Sequence, residues 1–503
     1  MGARRVRPRV SVQTSLQKPG ASGLIIARFR APARLHAERR RRPAPVARST
    51  HHRDSRRNQT HPAAGHPGRP GGAGLDGHGR GRYRDGRPLG PSAIAATGVG
   101  NSLHLGFAIF GMGLLLGLDT LVSQAYGARD LARCRAWLRV GLRLVWLITL
   151  PLVIVLTAVW LAIPSLGFHG ETLPLLRAYF AILVLSTPFL LLYAAFRRFL
   201  QGTHHVAPVM WALVTANVVN ALANWVFIYG KLGLPALGVS GAAWATFSSR
   251  LYMCGLLGAA VWWTRPREAA STAAPDDAEA GAEGPATLGR LVRLGLPAAS
   301  TVTAEVGVFA VATGLAGTLE PVATASHQIA LNIAAVAFMV PLGLASAGAV
   351  RVGNAVGARD PRGAAAAGWT VIAMGVTFML LSGLVFVTVP RWLIGLFTHD
   401  PAVLALGSSL LLIAAVFQLF DGLQGVVTGT LRGLGDTRTA MITNLCAHWV
   451  VGIPVGYSLC FVAGWGARGL WWGLSAGLIL AGVVLTAVWS RRVSHYQARG
   501  RLG

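Results

Sequence analysis

The stretch LGRLVRLGLPAASTVTAEVGVFAVATGLAG (Leu288–Gly317) is long enough to cross a bilayer and carries one acid, Glu305, near its middle. A helix needs about 20 apolar residues to span the hydrocarbon core. A charged side chain at the bilayer centre costs roughly 2.5 to 3.5 kcal/mol on insertion scales, and such residues usually face the inside of a helix bundle. The stretch therefore predicts a membrane helix with a functional carboxylate inside it.

The composition of the whole chain agrees with this prediction. Hydrophobic residues make up 53% of the 503 positions and charged residues only 13%, which is too apolar for a soluble protein of this size. From about Ser92 onward, eleven apolar runs of membrane length are predicted as spans, at 93–124, 137–163, 173–196, 206–229, 238–263, 288–317, 322–349, 366–389, 403–429, 438–462 and 468–489. The predicted fold class is an all-α polytopic membrane protein.

The net charge of +28 is concentrated in residues 1–90, which hold 21 of the 46 basic residues and four acids. This segment is rich in Arg, Pro, Gly and His and has no periodicity. It can be a disordered extension, an arm for nucleic acid or anionic lipid, or translation in a wrong frame or from upstream of the true start. We favour wrong-frame translation, then plain disorder, and expect no nucleic-acid partner.

Arginines alternate between the connections that join the spans. One set of connections, together with the C-terminus, holds twenty, whereas the other set holds about four basic residues. The positive-inside rule therefore predicts that the first set, and the tail 491–503, face the cytoplasm from the inner (plasma) membrane. The polar stretch 264–287 is then a cytoplasmic linker between an N-terminal bundle at 91–263 and a C-terminal bundle at 288–490.

The two halves repeat each other. QAYGARD (124–130) returns as GNAVGARD (353–360) 230 positions later, and RRFLQG (197–202) is echoed by GTLRG (429–433) at nearly the same offset. Repeated transmembrane halves are typical of transporters, whose sites lie near the repeat interface. The second half has six spans and the first has five. The prediction is two six-helix bundles related by an internal repeat, with the first helix missing or mistranslated before Ser92.

Polar side chains recur along one face of two spans. These faces hold Gln418, Asp421, Gln424 and Thr428 in one span and Asn217, Asn220 and Asn224 in the other. Unsatisfied polar groups cost several kcal/mol in lipid, so both faces should turn inward. Carboxylates with amide and hydroxyl oxygens suit a hard monovalent cation and equally suit a proton carrier, so Na⁺ and H⁺ stay open as the coupling ion. The asparagines equally suit hydrogen bonds between helices.

Other candidates have structural alternatives. Glu305 and Asp421 could be a hydrogen-bonded packing pair, although an ion or proton site is favoured. Asp119 lies near the end of its span and is interpreted as a gate or a helix cap. Phe309 and Phe417 could stack on an organic cation, or could simply pack. The four cysteines lack the spacing of a metal site or a disulfide framework, so no metal or other cofactor is expected.

Five long stretches occur in the order and spacing of one known family: GLDTLVSQAYGARD (117–130), NWVFIYGKLGLPALGVSGAAWAT (224–246), LVRLGLPAASTVTAEVGVFAV (291–311), ASHQIALNIAAVAFMVPLGLASAGAVRVGNAVGA (325–358) and FQLFDGLQGVVTGTLRGLGDTRTA (417–440). From about residue 91 to 490 the chain resembles the multidrug and toxic compound extrusion (MATE) family, in its NorM-like branch. The resemblance implies two six-helix bundles arranged as a V. It also implies export of drugs or organic cations, by alternating access, in exchange for Na⁺ or H⁺.

The resemblance also assigns expected roles to residues. Glu305 and Asp421 match the acids that take part in binding the coupling cation, and Asn220 and Asn224 match asparagines of the family's fifth helix. Phe417 stands where the branch often has a tyrosine, so a hydroxyl ligand is absent. The important acid of the family's first helix has no counterpart, which puts proton coupling through the N-terminal bundle in doubt. Cationic or drug-like small molecules, the lipid bilayer and a monomeric state are the expected partners.

Three alternative functions make different demands on the sequence. A flippase for lipid-linked precursors should line its cavity with several cationic residues, and none was expected inside the spans. An intramembrane enzyme should carry a nucleophile with its base or a metal motif, and the sequence has none. Binding of nucleic acid or an anionic surface through residues 1–90 is the third alternative. A transporter is therefore the predicted function, and an enzyme is not.

Overall fold

The computed structural model describes residues 90–168, 170–271 and 285–499. The expectations for residues 1–89, for the helix before Ser92 and for the linker residues 272–284 fall outside the described residues. All regular structure within the described ranges is helical. The predicted all-α fold of a multi-pass membrane protein is confirmed.

The described chain forms a succession of mostly long helices. These are α1 (Pro91–Leu114), α2 (Gly117–Gly127), α3 (Leu131–Ala162), α4 (Thr172–Gly202), α5 (Val206–Tyr229), α6 (Val239–Ser271), α7 (Leu288–Gly317), α8 (Pro321–Gly357), α9 (Pro361–Thr388), α10 (Pro390–Gly395), α11 (Pro401–Leu434), α12 (Thr437–Leu445), α13 (Ile453–Tyr457) and α14 (Gly466–Arg499). A 3₁₀ turn at Ile163–Leu166 follows α3, and π-helical segments at Cys446–Gly452 and Ser458–Val462 flank α13.

Ten helical segments of the described chain are long and apolar enough to cross a membrane. They account for ten of the eleven predicted spans. The remaining predicted span, 238–263, is the 33-residue helix α6, which is equally long but carries Arg250 in its middle. The predicted single span 93–124 is divided, since α1 ends at Leu114 and α2 begins at Gly117.

The repeated GARD sequence forms the same turn in both halves. Arg129 and Arg359 follow the ends of α2 and α8 and both have a positive φ, 60° and 54°. Asp130 and Asp360 then cap the next helix, because each carboxylate accepts a hydrogen bond at 2.8 Å from the backbone N–H of that helix's third residue. Such caps satisfy backbone groups that the first helical turn leaves free. The sequence repeat is thus also a structural repeat.

The helices pack as two bundles, α1–α6 and α7–α14. α4 lies at the centre of the first bundle and packs on α1, α3 and α6. α11 lies at the centre of the second and packs on α8, α9 and α14. The bundles meet where α1 packs on α7 and α2 packs on α8. These contacts lie toward the end that carries the two GARD turns, which we name the GARD end.

Two glycines permit the closest approach of the bundles at the GARD end. A Cβ on Gly127 would overlap the carbonyl oxygen of Asn354, and a Cβ on Gly357 would overlap the carbonyl oxygen of Gln124. Positions 124 and 354 correspond in the repeat, as do 127 and 357. The contact is therefore reciprocal, and only residues without a side chain allow the two backbones to come this close.

Candidate functional site

Glu305 lies near the middle of α7 and Asp421 near the middle of α11. Their carboxyl groups are near enough for their charges to interact. Asp421 is 6% exposed and Glu305 is half-buried. Two carboxylates inside a membrane bundle repel each other, and a bound cation or proton relieves both the repulsion and the cost of desolvation. The role of this pair as a cation site stays a prediction.

A chain of side-chain amides lies beside the two acids. Gln424, one turn after Asp421, lies beside the Glu305 carboxyl. Its Nε2 donates to Oδ1 of Asn444 at 2.8 Å, and Asn444 Nδ2 approaches Thr428 Oγ1 at 3.5 Å. Both amide side chains are 1% exposed. The structure thus brings Gln424 to Glu305 and links Thr428 to Gln424 through Asn444 of α12.

The sequence prediction missed Asn444. A single asparagine in an apolar span is common, and it does not by itself define a polar face. The sequence carries one signal: Asn444 and His448 are polar and four residues apart. The structure buries both side chains, which are at most 2% exposed. Residues at i and i+4 share one side of an α-helix, so this pair marked an inward-facing side of the span.

Gln418 and the two phenylalanines lie in other surroundings. Gln418 Nε2 donates to Ser382 Oγ of α9 at 3.3 Å, on a different side of α11 from Gln424. Phe417 is 3% exposed and packs on Trp471, with ring centroids 5.7 Å apart. Phe309 is half-buried beside a hydrophobic cluster of α7 and α14. Their predicted contacts with substrate stay predictions.

Asn220 and Asn224 form a separate pair in the N-terminal bundle. Asn224 Nδ2 donates to Asn220 Oδ1 at 3.0 Å, and both side chains are half-buried. Their helix, α5, packs mainly on α6. The pair therefore belongs to the opposite bundle from Glu305 and Asp421.

Asp119 lies at the contact between the bundles. Its side chain is fully buried, and Oδ2 lies 3.1 Å from Nη1 of Arg198 and 3.6 Å from Nη2 of Arg432. Arg198 belongs to α4 of the same bundle, whereas Arg432 belongs to α11 of the other. Thr120 Oγ1 adds a hydrogen bond of 2.6 Å to the backbone carbonyl of Arg432. One carboxylate thus contacts two guanidinium groups, one from each bundle, and its role as a gate stays a prediction.

Side chains next to this ion cluster repeat the symmetry of the two halves. Gln124 Nε2 donates a hydrogen bond of 3.0 Å to the backbone carbonyl of Gly433, which lies in the last turn of α11. Asn354, the equivalent of Gln124, reaches the ring of His204 just beyond α4. Burial and the neighbouring Arg351 lower the pKa of His204, so its neutral ring can accept a hydrogen bond. Each bundle therefore forms a side-chain hydrogen bond to the other bundle at or just beyond the end of a helix.

Arg250 corrects the expectation that no cationic residue lies inside the spans. It occupies the middle of α6, is 9% exposed, and donates from Nη1 to Ser186 Oγ at 2.6 Å. Beside it, the buried His104 ring lies 3.1 Å from Thr187 Oγ1. The sequence shows this arginine within the span 238–263, and its long side chain is accommodated by hydroxyl groups of α4.

A family model described as MatE matches residues 87–226 and 297–458, once in each half. The chain belongs to the MatE family. The probable multidrug resistance protein NorM of Mesorhizobium japonicum is 39% identical over 435 residues, which cover 80% of this chain and 87% of that protein. The multidrug resistance protein NorM of Burkholderia vietnamiensis is 39% identical over 414 residues, with 79% and 86% covered.

Solved MATE structures share the fold. The crystal structure of the eukaryotic MATE transporter AtDTX14 covers 82% of this chain and 92% of its own, with a TM-score of 0.68 and 24% identity. A MATE crystal structure in complex with MaL6 gives a TM-score of 0.71 at 21% identity, with 82% and 90% covered. The predicted family resemblance is confirmed, and so is the prediction that this MatE protein is a membrane transporter and not an enzyme.

Proposed function

We propose that the protein is a secondary active antiporter that exports drugs or organic cations in exchange for Na⁺ or H⁺. The observation that carries this proposal is the pair Glu305 and Asp421, two carboxyl groups inside a membrane bundle whose charges interact. The names of the relatives, multidrug resistance proteins, support drugs as the substrate class. The coupling ion binds at the carboxylate pair, and a cationic substrate competes with it for the same negative charge.

α11 links the cation site to the gate. This helix carries Asp421 at the cation site and Arg432 at the gate. The two residues are eleven positions apart, which is a rise of about 16 Å along the helix. Thr428 and Arg432 help to line a cavity of about 20 Å³, which has room for one water molecule. Movement of α11 when the ion binds therefore acts directly on the contact with Asp119.

The conformation described here is closed at the GARD end, where the arginine-rich connections lie. We place this end in the cytoplasm of the inner membrane, so the conformation is the outward-facing state. Ion binding shifts the equilibrium between this state and an inward-facing one in proportion to its difference in affinity for the two. Opening of the GARD end requires separation of Asp119 from Arg432.

The orientation can be tested by cysteine labelling. In a background without the four native cysteines, an impermeant maleimide added to intact cells should label Trp465→Cys and leave Arg362→Cys unlabelled, since the positive-inside rule places the second residue in the cytoplasm. Both positions are exposed, and both should label after permeabilisation. Labelling of Arg362→Cys alone in intact cells would reverse the orientation.

The transport activity can be tested in proteoliposomes loaded with a fluorescent organic cation. An imposed Na⁺ or H⁺ gradient should drive its movement against the substrate gradient, and an ionophore that collapses the driving gradient should abolish it. The gradient of each ion is imposed while the other ion has equal concentrations on both sides, so the response also identifies the coupling ion. A rate of substrate movement that does not change with either ion gradient would contradict the antiport proposal. The flippase alternative needs several cationic residues around the cavity, and Arg250 by itself does not supply them.

A further inference from the structure

We infer that Asn444 is a positioning residue of the coupling-cation site and that it acts by fixing the side-chain amide of Gln424. The inference rests on the proposed function of the acids beside Gln424. Within the described residues, the Asn444 side chain forms hydrogen bonds with Gln424, Thr428 and the Ala440 carbonyl, and with no carboxylate. Its role is therefore distinct from that of an ion ligand.

The Asn444 side chain is held in one orientation. Its Nδ2 donates to the backbone carbonyl of Ala440, one turn earlier, at 2.9 Å and approaches Thr428 Oγ1 at 3.5 Å. Because both contacts use the amide nitrogen, Oδ1 is left to accept a hydrogen bond. That oxygen faces Gln424 Nε2 at 2.8 Å.

This contact selects one of the two flipped orientations of Gln424. If the Gln424 amide rotated by a half-turn, its Oε1 would face Oδ1 of Asn444, and two acceptors would meet without a hydrogen atom between them. Gln424 therefore keeps its nitrogen toward α12. Its Oε1 remains without a hydrogen-bond partner in the described part of the chain, although it is buried.

The oriented amide of Gln424 lies beside an acid of the proposed cation site. An N–H group of Gln424 interacts with the Glu305 carboxyl, and a hydrogen bond to a carboxylate fixes the position of that carboxylate. A partner that orients an ion ligand in this way strengthens ion binding. Asn444 therefore matters because it keeps an N–H group of Gln424, and not its oxygen, turned toward Glu305.

The competing explanation is that Asn444 only joins α12 to α11 by hydrogen bonds. Such a role changes the stability of the protein but not its affinity for the ion. The two explanations therefore differ in the ion concentration that half-saturates transport, measured separately from the maximal rate.

The experiment uses the full-length protein in proteoliposomes. The main variant is Asn444→Ser, because a serine hydroxyl can donate to the carbonyl of Ala440, as Thr301 does to that of Pro297, but is too short to reach Gln424. The half-saturating concentration is measured by titrating Na⁺ at fixed pH and H⁺ without Na⁺. It should rise about 10-fold or more for the ion that drives the wild type, as is usual when a partner that orients a metal ligand is removed.

Two further results are expected. Gln424→Ala should raise the half-saturating ion concentration to a similar extent, and the double variant should be no worse than Gln424→Ala, because Asn444 acts through that residue. Ser249→Ala, which removes a buried hydrogen bond between α6 and α5, is the control for a purely structural loss and should leave ion affinity unchanged.

An unchanged half-saturating ion concentration in Asn444→Ser would overturn the inference, as would additive effects in the double variant. If Asp421→Asn also transports normally, the proposed function fails together with the inference. If Asp421→Asn is inactive while Asn444→Ser keeps the affinity of the wild type, the inference alone fails.

Discussion

Asp421→Asn should abolish ion-driven export without preventing insertion or folding. The substitution keeps the shape of the side chain and its ability to hydrogen-bond, but it removes the charge that attracts the coupling cation. Residues that merely orient a metal ligand already change affinity by 10- to 100-fold, so loss of a charged ligand should reduce gradient-driven efflux by at least about 10-fold. Glu305→Gln should have the same effect, since in the proposed function both carboxylates bind the same ion.

The measurement is efflux of a fluorescent organic cation from proteoliposomes under the gradient that drives the wild type, at matched protein amounts. Asp400→Asn is the matched control, because Asp400 lies on the same helix but caps its start, with Oδ1 accepting from the backbone N–H groups of Ala402 and Val403 at 2.8 and 3.1 Å. Asparagine is as good a cap as aspartate, so this variant should transport normally. Efflux at the wild-type rate by Asp421→Asn would show that the acid is a packing residue.

The acids were predictable from the sequence because a carboxylate in an apolar span has few explanations. Glu305 and Asp421 are expensive to bury in lipid, and this physical cost identifies them without any knowledge of the fold. The bounds of some helices were equally predictable. The predicted spans 206–229 and 288–317 coincide with α5 and α7. Glycine, proline and polar residues mark the ends of these two apolar runs in the sequence.

Contacts between distant parts of the sequence were not predictable in the same way. Asp119 and Arg432 are 313 positions apart, and nothing in a one-dimensional pattern pairs an acid near the end of one span with an arginine near the end of another. Gln418 shared the spacing of the polar face on α11, but the structure turns it toward Ser382. The π-helical segment that begins at Cys446 packs on α14, and such a contact between distant parts of the chain is not visible in the sequence.

The second large effect is expected at the gate. Asp119→Asn leaves Arg198 and Arg432 facing each other across the bundle interface without the carboxylate that holds them together. Loss of one partner from a buried ion pair costs about 3 to 5 kcal/mol. The cost of Asp119→Asn should be lower, because the Arg198 side chain is 17% exposed and water screens its charge. The GARD end should therefore open more often, and the equilibrium should shift toward the inward-facing state.

This shift can be measured at Ser123, a buried residue of α2 that faces Gly353 of α8 across the interface. In the background without native cysteines, a permeant maleimide should label Ser123→Cys at least about 10-fold faster when Asp119→Asn is present, since 1.4 kcal/mol corresponds to a factor of ten. Asp360→Asn is the control, because that acid also lies at the GARD end but caps α9 within one bundle. Transport should slow but stay coupled to the ion, because Asp119→Asn leaves the cation site intact and only disfavours the closed state. Unchanged labelling would mean that Asp119 caps or packs its own helix and does not hold the two bundles together.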